Sequence, residues 1–174
     1  MTTDTGPISR WLIDDHTRLE ALLARSDVGG AIDTASYEEF RSGLLRHIGI
    51  EEKIVLPAAK RVRGGEPLEA AARLRVEHGA LTSLLVPTPT PEIVAELRGL
   101  LGRHNPIEEG PAGVYAECDR LLAGEAAEII ARMVAAPVVR TMPHFDGHGV
   151  HRTAAEALES AAGSQARLRR RKED

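Results

Sequence analysis

The stretch His47-Ile48-Gly49-Ile50-Glu51-Glu52 returns later in the chain as His104-Asn105-Pro106-Ile107-Glu108-Glu109. Ahead of each copy stands a single histidine in a related setting. The first is Asp15-His16-Thr17-Arg18-Leu19 with Leu22-Leu23; the second is Glu77-His78-Gly79-Ala80-Leu81 with Leu84-Leu85. The chain therefore spells His, His-x3-Glu, His, His-x3-Glu in two halves. Histidines and glutamates that keep register through an internal repeat point to one shared site.

Each of these residues falls on an apolar helical seam. Phe40, Leu44, His47, Glu51, Ile54 and Ala58 follow one another at spacings of four and three, as do Leu97, Leu101, His104 and Glu108. His16 continues Leu12, Leu19 and Leu23, and His78 sits among Ala71, Leu74, Leu81 and Leu85. Such spacing keeps side chains on one face of a helix, and an i,i+4 pair lies one turn apart on that face. Four amphipathic segments result. The first runs from about Ile8 to Ala24 and is ended by Asp27-Val28-Gly29-Gly30. The second runs from about Ser36 to Arg63, stopped by Gly64-Gly65, and the third begins near Pro67. The fourth opens with Pro91-Glu92, after a Pro87-Thr88-Pro89-Thr90-Pro91 connection that cannot continue a helix. Short connections between amphipathic helices predict an all-α fold, an up-down-up-down four-helix bundle.

Beyond about Ala123 the pattern changes, which divides the chain into a metal-binding bundle over residues 1–123 and a helical extension over 124–174. The extension reads as a short helix from Glu125 to Ala136, a loop from His144 to Gly149, a second helix from Val150 to Ala162, and a frayed basic tail. Asp146 has the chemistry of a helix N-cap there.

Composition agrees with helix packed on helix: 43% of the 174 residues are hydrophobic but only 3% aromatic, so Ala, Leu, Ile and Val carry the core. A formal charge of −4 offers no basic surface for nucleic acid. The run Arg167-Leu168-Arg169-Arg170-Arg171-Lys172 reads as a solvated terminus. One cysteine, Cys118, cannot form an internal disulfide and suits a cytoplasmic protein. The stretch Met1 to Pro7 lacks the pattern of a secretion leader. No apolar run approaches the ~20 residues that span a bilayer.

Burying a carboxylate without a partner is costly, and two glutamates facing each other repel. Two divalent cations remove both difficulties, because carboxylate and neutral imidazole are ordinary ligands of iron, manganese and zinc. The candidate metal ligands are His16, His47, Glu51, His78, His104 and Glu108. Taken singly, each also fits a hydrogen-bonded core residue or a solvated helical pair; the shared register favours the joint reading. Glu52 and Glu109 lie about 100° further round their helices. They, with Asp15 and Glu77, are either solvated or orient neighbouring imidazoles, and Glu109 takes the place of Glu108 if the helix is distorted there. His144, His148 and His151 fit a polar loop better than a separate site. Tyr115 either packs in the core or donates to a bound oxygen species near the centre.

These motifs resemble the hemerythrin-like (HHE cation-binding) family. His47-Ile48-Gly49-Ile50-Glu51-Glu52-Lys53-Ile54-Val55-Leu56-Pro57 resembles its second-helix motif and His104-Asn105-Pro106-Ile107-Glu108-Glu109 its fourth, a resemblance covering about residues 8–122. It implies a non-haem di-iron centre, oxo- or hydroxo-bridged, held by the same six residues, with zinc or manganese as possible substitutes. It also implies a small ligand: oxygen, peroxide or nitric oxide. Leu74 stands where the oxygen-carrying hemerythrins have a further histidine, so the implied centre is more open than a pure carrier's. Pro106, followed by Gly110-Pro111, predicts a fourth helix kinked or broken at the site. The functional expectation is a protein that binds or senses a small oxidant or gas. A metal-handling or metal-dependent regulatory protein without turnover competes with it, its extension meeting a partner or a second copy. A ferritin-like oxidase fits less well, since that architecture uses Glu-x2-His pairs and more carboxylates than histidines.

Overall fold

The computed structural model describes residues 5–173; Met1 to Asp4, part of the stretch read for a leader, lie outside them. Helix α1 (Pro7–Ser26) leads through two-residue strands β1 (Asp27–Val28) and β2 (Ala31–Ile32) to α2 (Thr34–Ile50). A π-helical turn, Glu51–Val55, joins α2 to α3 (Leu56–Val62). Then come α4 (Ala71–Leu84), α5 (Pro91–Glu109), α6 (Val114–Leu121), a 3₁₀ turn at Ala123–Glu125, α7 (Ala126–Ala135) and α8 (Ala154–Glu173). The fold is all-α apart from one small hairpin. No helix among the described residues is long and apolar enough to cross a membrane.

Local chemistry sets these boundaries. Asp33 caps α2 by accepting from the Ala35 N–H at 3.1 Å, and Thr90 caps α5 by accepting from Ile93 at 3.3 Å. Pro7 and Pro91 stand in first turns, where a missing N–H costs nothing. Gly29 and Gly30, which the spacing marks only as a helix stop, turn the β1–β2 hairpin with φ of 64° and 82°. Two successive positive φ values are what a tight hairpin turn demands. Pro57 has no N–H to donate and its ring crowds the preceding turn, and the π turn immediately before it widens the helix there.

Two apolar clusters form the core. One gathers Leu19, Leu23, Phe40, Leu44, Leu81, Leu84, Ile93, Leu97 and Leu101 with Ala154 and Ala157 of α8. The other gathers Ile8, Leu12, Ile50, Val55, Leu74, Val114, Tyr115, Cys118, Ile129 and Met133. Helices α1 and α4 enter from the second cluster and end in the first; α2 and α5 start in the first. On α1, α2 and α4 the histidine stands where the helix passes from one cluster to the other, and on α5 it follows the last residue in the first cluster.

The segment after α7 is strapped to the polar face of α2. Ser42 Oγ donates to the Val139 carbonyl at 2.6 Å, Arg46 Nε to Ala136 at 3.0 Å, and Arg41 Nη1 to Met142 at 2.8 Å. Helix α8 then packs on α4 and α5. It reaches Glu173, past the expected end at Ala162 and through the basic run. Asp146 does not cap it. It accepts from the backbone N–H and the hydroxyl of Thr88, and from Arg152, while Thr153 Oγ1 accepts from Glu156 at the start of α8.

Candidate metal centre

Between the two clusters the four histidines and two glutamates converge in two groups. His16, His47 and Glu51 form one and His78, His104 and Glu108 the other; within each, one donor atom per residue lies within 4.8 Å of the others. The imidazoles are paired accordingly, with ring centroids 4.4 Å apart for His16–His47 and 4.9 Å for His78–His104. All six residues are buried, Glu108 completely.

The glutamates belong to both groups. Glu51 directs Oε1 to His47 Nε2 (3.5 Å) and Oε2 to His78 Nε2 (3.2 Å). Glu108 directs Oε1 to His104 Nε2 (3.2 Å) and His78 Nε2 (3.6 Å), and Oε2 to His16 Nε2 (3.6 Å). Each carboxylate thus straddles two positions, as a bridge between two cations would. Glu51 Oε2, His78 Nε2 and Glu108 Oε1 are buried polar atoms without a hydrogen-bond partner. Nature rarely leaves such atoms unsatisfied. Converging lone pairs of carboxylate and imidazole are the donor set of a divalent transition metal, so these residues fit one ion in each group.

One outer carboxylate fixes each ring. His47 Nδ1 donates to Asp15 at 2.9 Å, His78 Nδ1 to Glu52 at 3.0 Å, His104 Nδ1 to Glu77 at 2.7 Å and His16 Nδ1 to Glu109 at 2.5 Å. Carboxylates offer only lone pairs here, so the proton sits on Nδ1 and Nε2 faces the centre. The contacts close a ring: an acid on α1 holds the histidine of α2, the turn after α2 holds that of α4, α4 holds that of α5, and α5 holds that of α1. Sequence spacing left these four acids between a solvated and an orienting role. The repeat carried the signal, because an acid precedes each single histidine and follows each ligand-type glutamate in both halves.

Electrostatics follow from this packing. Burial opposes charge on His47, but Glu51 and Asp15 outweigh it and raise its pKa to about 9. Burial likewise opposes charge on His78, yet Glu108, Glu51 and Glu52 hold it well above its ordinary value; His104 is raised in the same way by Glu108. Against its own burial, Glu51 is held well below the usual carboxylate range by His47 and His78. Without a cation, protons on Nε2 balance the buried glutamates. Burial, with Glu51 and Glu108, pushes the Tyr115 phenol well above its ordinary value and keeps it protonated.

The fourth-helix motif departs from what spacing predicts. Helix α5 runs through Pro106 to Glu109 instead of breaking at the site. The proline lies on the exposed face, and the carbonyl it leaves unpaired belongs to exposed Gly102, where water can satisfy it. The break comes at Gly110–Gly113, after which α6 turns back to the centre. A Cβ on Gly113 would stand 2.5 Å from the Glu108 carbonyl oxygen, so only glycine fits this corner. Asp119 of α6 ties it to α1, accepting from the Ile8 and Ser9 N–H groups at 2.9 and 3.1 Å. That return carries Tyr115 into the centre. His144 bonds Glu38 at 2.5 Å, and His144, His148 and His151 form no metal-type group among the described residues.

Compared with known protein families, curated proteins and solved structures, the chain matches none.

Proposed function

We propose that this is a non-haem di-iron protein of the hemerythrin-like kind, which binds or senses a small oxidant or gas such as oxygen, peroxide or nitric oxide. The observation that carries the reading is the pair of straddling carboxylates, set among four imidazoles whose Nδ1 protons are all taken up by outer acids. The alternating directions of α1, α2, α4 and α5 between the two apolar clusters support an up-down-up-down bundle around that centre. Two iron ions would supply open coordination positions and reversible one-electron chemistry.

The chain's own residues do the rest. His16 and His47 hold one position, His78 and His104 the other, and Glu51 and Glu108 join them. Asp15, Glu52, Glu77 and Glu109 lock the rings with Nε2 inward and offset the positive charge that two divalent cations leave against two glutamates. The apolar clusters above and below exclude bulk water, which slows loss of the ions and leaves room only for a small ligand.

Metal analysis with an optical spectrum tests this on protein from iron-supplemented cells, reduced without air and then exposed to oxygen. The expected result is about two irons per chain, with near-ultraviolet and visible bands that change on exposure. Two metal ions per chain with no response to oxygen, peroxide or nitric oxide would favour metal handling or metal-dependent regulation instead. Failure to take up ferrous ion would sink the di-iron reading.

A further inference from the structure

The phenol of Tyr115 is buried in the second apolar cluster, with its hydroxyl at the centre. Its Oη lies 2.6 Å from Glu51 Oε1, 3.0 Å from Glu108 Oε2, 3.2 Å from His16 Nε2 and 3.3 Å from His47 Nε2. Every one of these atoms faces the His16–His47 position. None belongs to His78 or His104, and the unpartnered atoms of the centre, Glu51 Oε2, His78 Nε2 and Glu108 Oε1, all face the opposite position. The hydroxyl therefore sits among the donors of one position only. With protons on the imidazole Nε2 atoms the phenol can accept from the histidines but has one proton for two carboxylate oxygens, whereas a cation shared by all four neighbours satisfies every lone pair.

We propose that Tyr115 is itself a metal ligand, binding through Oη at the His16–His47 position. The assignment rests on the metal-centre reading above. It gives that position five protein donors: His16 Nε2, His47 Nε2, Glu51 Oε1, Glu108 Oε2 and Tyr115 Oη. The other position has four: His78 Nε2, His104 Nε2, Glu51 Oε2 and Glu108 Oε1. The centre is thereby asymmetric, and a small exogenous ligand is directed to the His78–His104 ion, which keeps more open coordination. On loading, the Oη–H bond breaks, the oxygen keeps the electron pair and shares it with the cation, and the proton leaves to solvent. The cation makes this favourable by cancelling the carboxylate charge that otherwise keeps the phenol protonated.

Ionised phenol absorbs differently from phenol in the ultraviolet, whatever the metal, and the chain has only two tyrosines, Tyr37 and Tyr115. Chelator-stripped protein is titrated with zinc and, without air, with ferrous ion, reading ions bound per chain and the ultraviolet difference spectrum together; the iron-loaded sample is then oxidised and examined by resonance Raman for tyrosinate modes. The expected result is two ions and one tyrosinate per chain. The signal should survive Tyr37→Phe and vanish in Tyr115→Phe, which should bind one of its ions at least about tenfold more weakly. Circular dichroism checks that this variant is folded. Two ions with no tyrosinate, or a signal that persists in Tyr115→Phe, would overturn the assignment and leave the metal centre standing. No uptake of either metal would overturn the metal reading and this one with it.

Discussion

At the scale of single residues, the candidate ligands fall into two kinds by how many positions each reaches. Glu51 reaches both groups through its two oxygens, whereas His47 reaches one. Glu51→Gln should therefore weaken binding of both ions, while His47→Ala should sharply weaken one and leave the other in place. Isothermal titration with zinc resolves the two cases, and a Glu51→Gln variant that loses only one ion would contradict the bridging geometry. The same residues set a pH dependence when metal is removed. His47 has a folded-state pKa of about 9 against an ordinary value of 6.5. A group raised on folding stabilises fully below its unfolded value and loses that contribution as pH climbs through the folded one. Glu51 is lowered, so its contribution is present above 4.5 and fades in acid. The urea midpoint of chelator-stripped protein should accordingly be highest near pH 6 and fall by pH 9–10, measured at constant ionic strength. A midpoint that rises across that interval would mean that His47 is not charged in the stripped protein. Metal affinity should run the other way, rising with pH, because cations displace protons from Nε2.

At the scale of elements, the irregular turns position the site more than the helices themselves. The π turn begins at Glu51, four residues after His47, and the break at Gly110–Gly113 begins just after Glu108. Had α5 continued, Tyr115 would stand about 10 Å further along the axis from Glu108. Instead α6 returns and brings the two within 3.0 Å. Gly113→Ala puts a methyl group against the Glu108 carbonyl and should cost about 1–3 kcal/mol. Because the corner carries both Glu108 and α6, the variant should also bind metal more weakly, and thermal melts with and without zinc would show both effects. Unchanged metal affinity would mean that the corner is only a connection.

At the scale of the whole molecule, a polar layer divides the core into two apolar clusters, and α8 belongs to the cluster away from α6 and α7. Ala157 of α8 is fully buried there. Ala157→Asp would bury a carboxylate without a partner and should destabilise the protein by about 2 kcal/mol or more, or detach α8. Metal stoichiometry should stay at the wild-type value, since the six candidate ligands lie on α1, α2, α4, α5 and the π turn and Tyr115 on α6, none of them on α8. Hydrogen exchange confined to α8, paired with metal analysis, distinguishes local detachment from general loss of structure. Loss of metal in a variant whose other helices remain protected would make the extension part of the site.

The order of amino acids was enough to place helices over α1, α2, α4 and α5 and to nominate the six residues that meet between the clusters. Periodicity is a property of neighbours along one helix, and the repeat displays it twice. Which carboxylate serves which imidazole could not be read that way. Asp15 serves His47, Glu52 serves His78, Glu77 serves His104 and Glu109 serves His16, each across a gap between helices. Linear spacing says nothing of such gaps. Pro106 and Tyr115 show the same division. A proline breaks a helix only where its lost bond cannot be met, and at Pro106 the unpaired carbonyl faces water. A tyrosine beyond a glycine-proline corner joins the centre only because the chain turns back there. The sequence determined α1, α2, α4 and α5 and their polar seam; tertiary packing alone decided how those seams interlock.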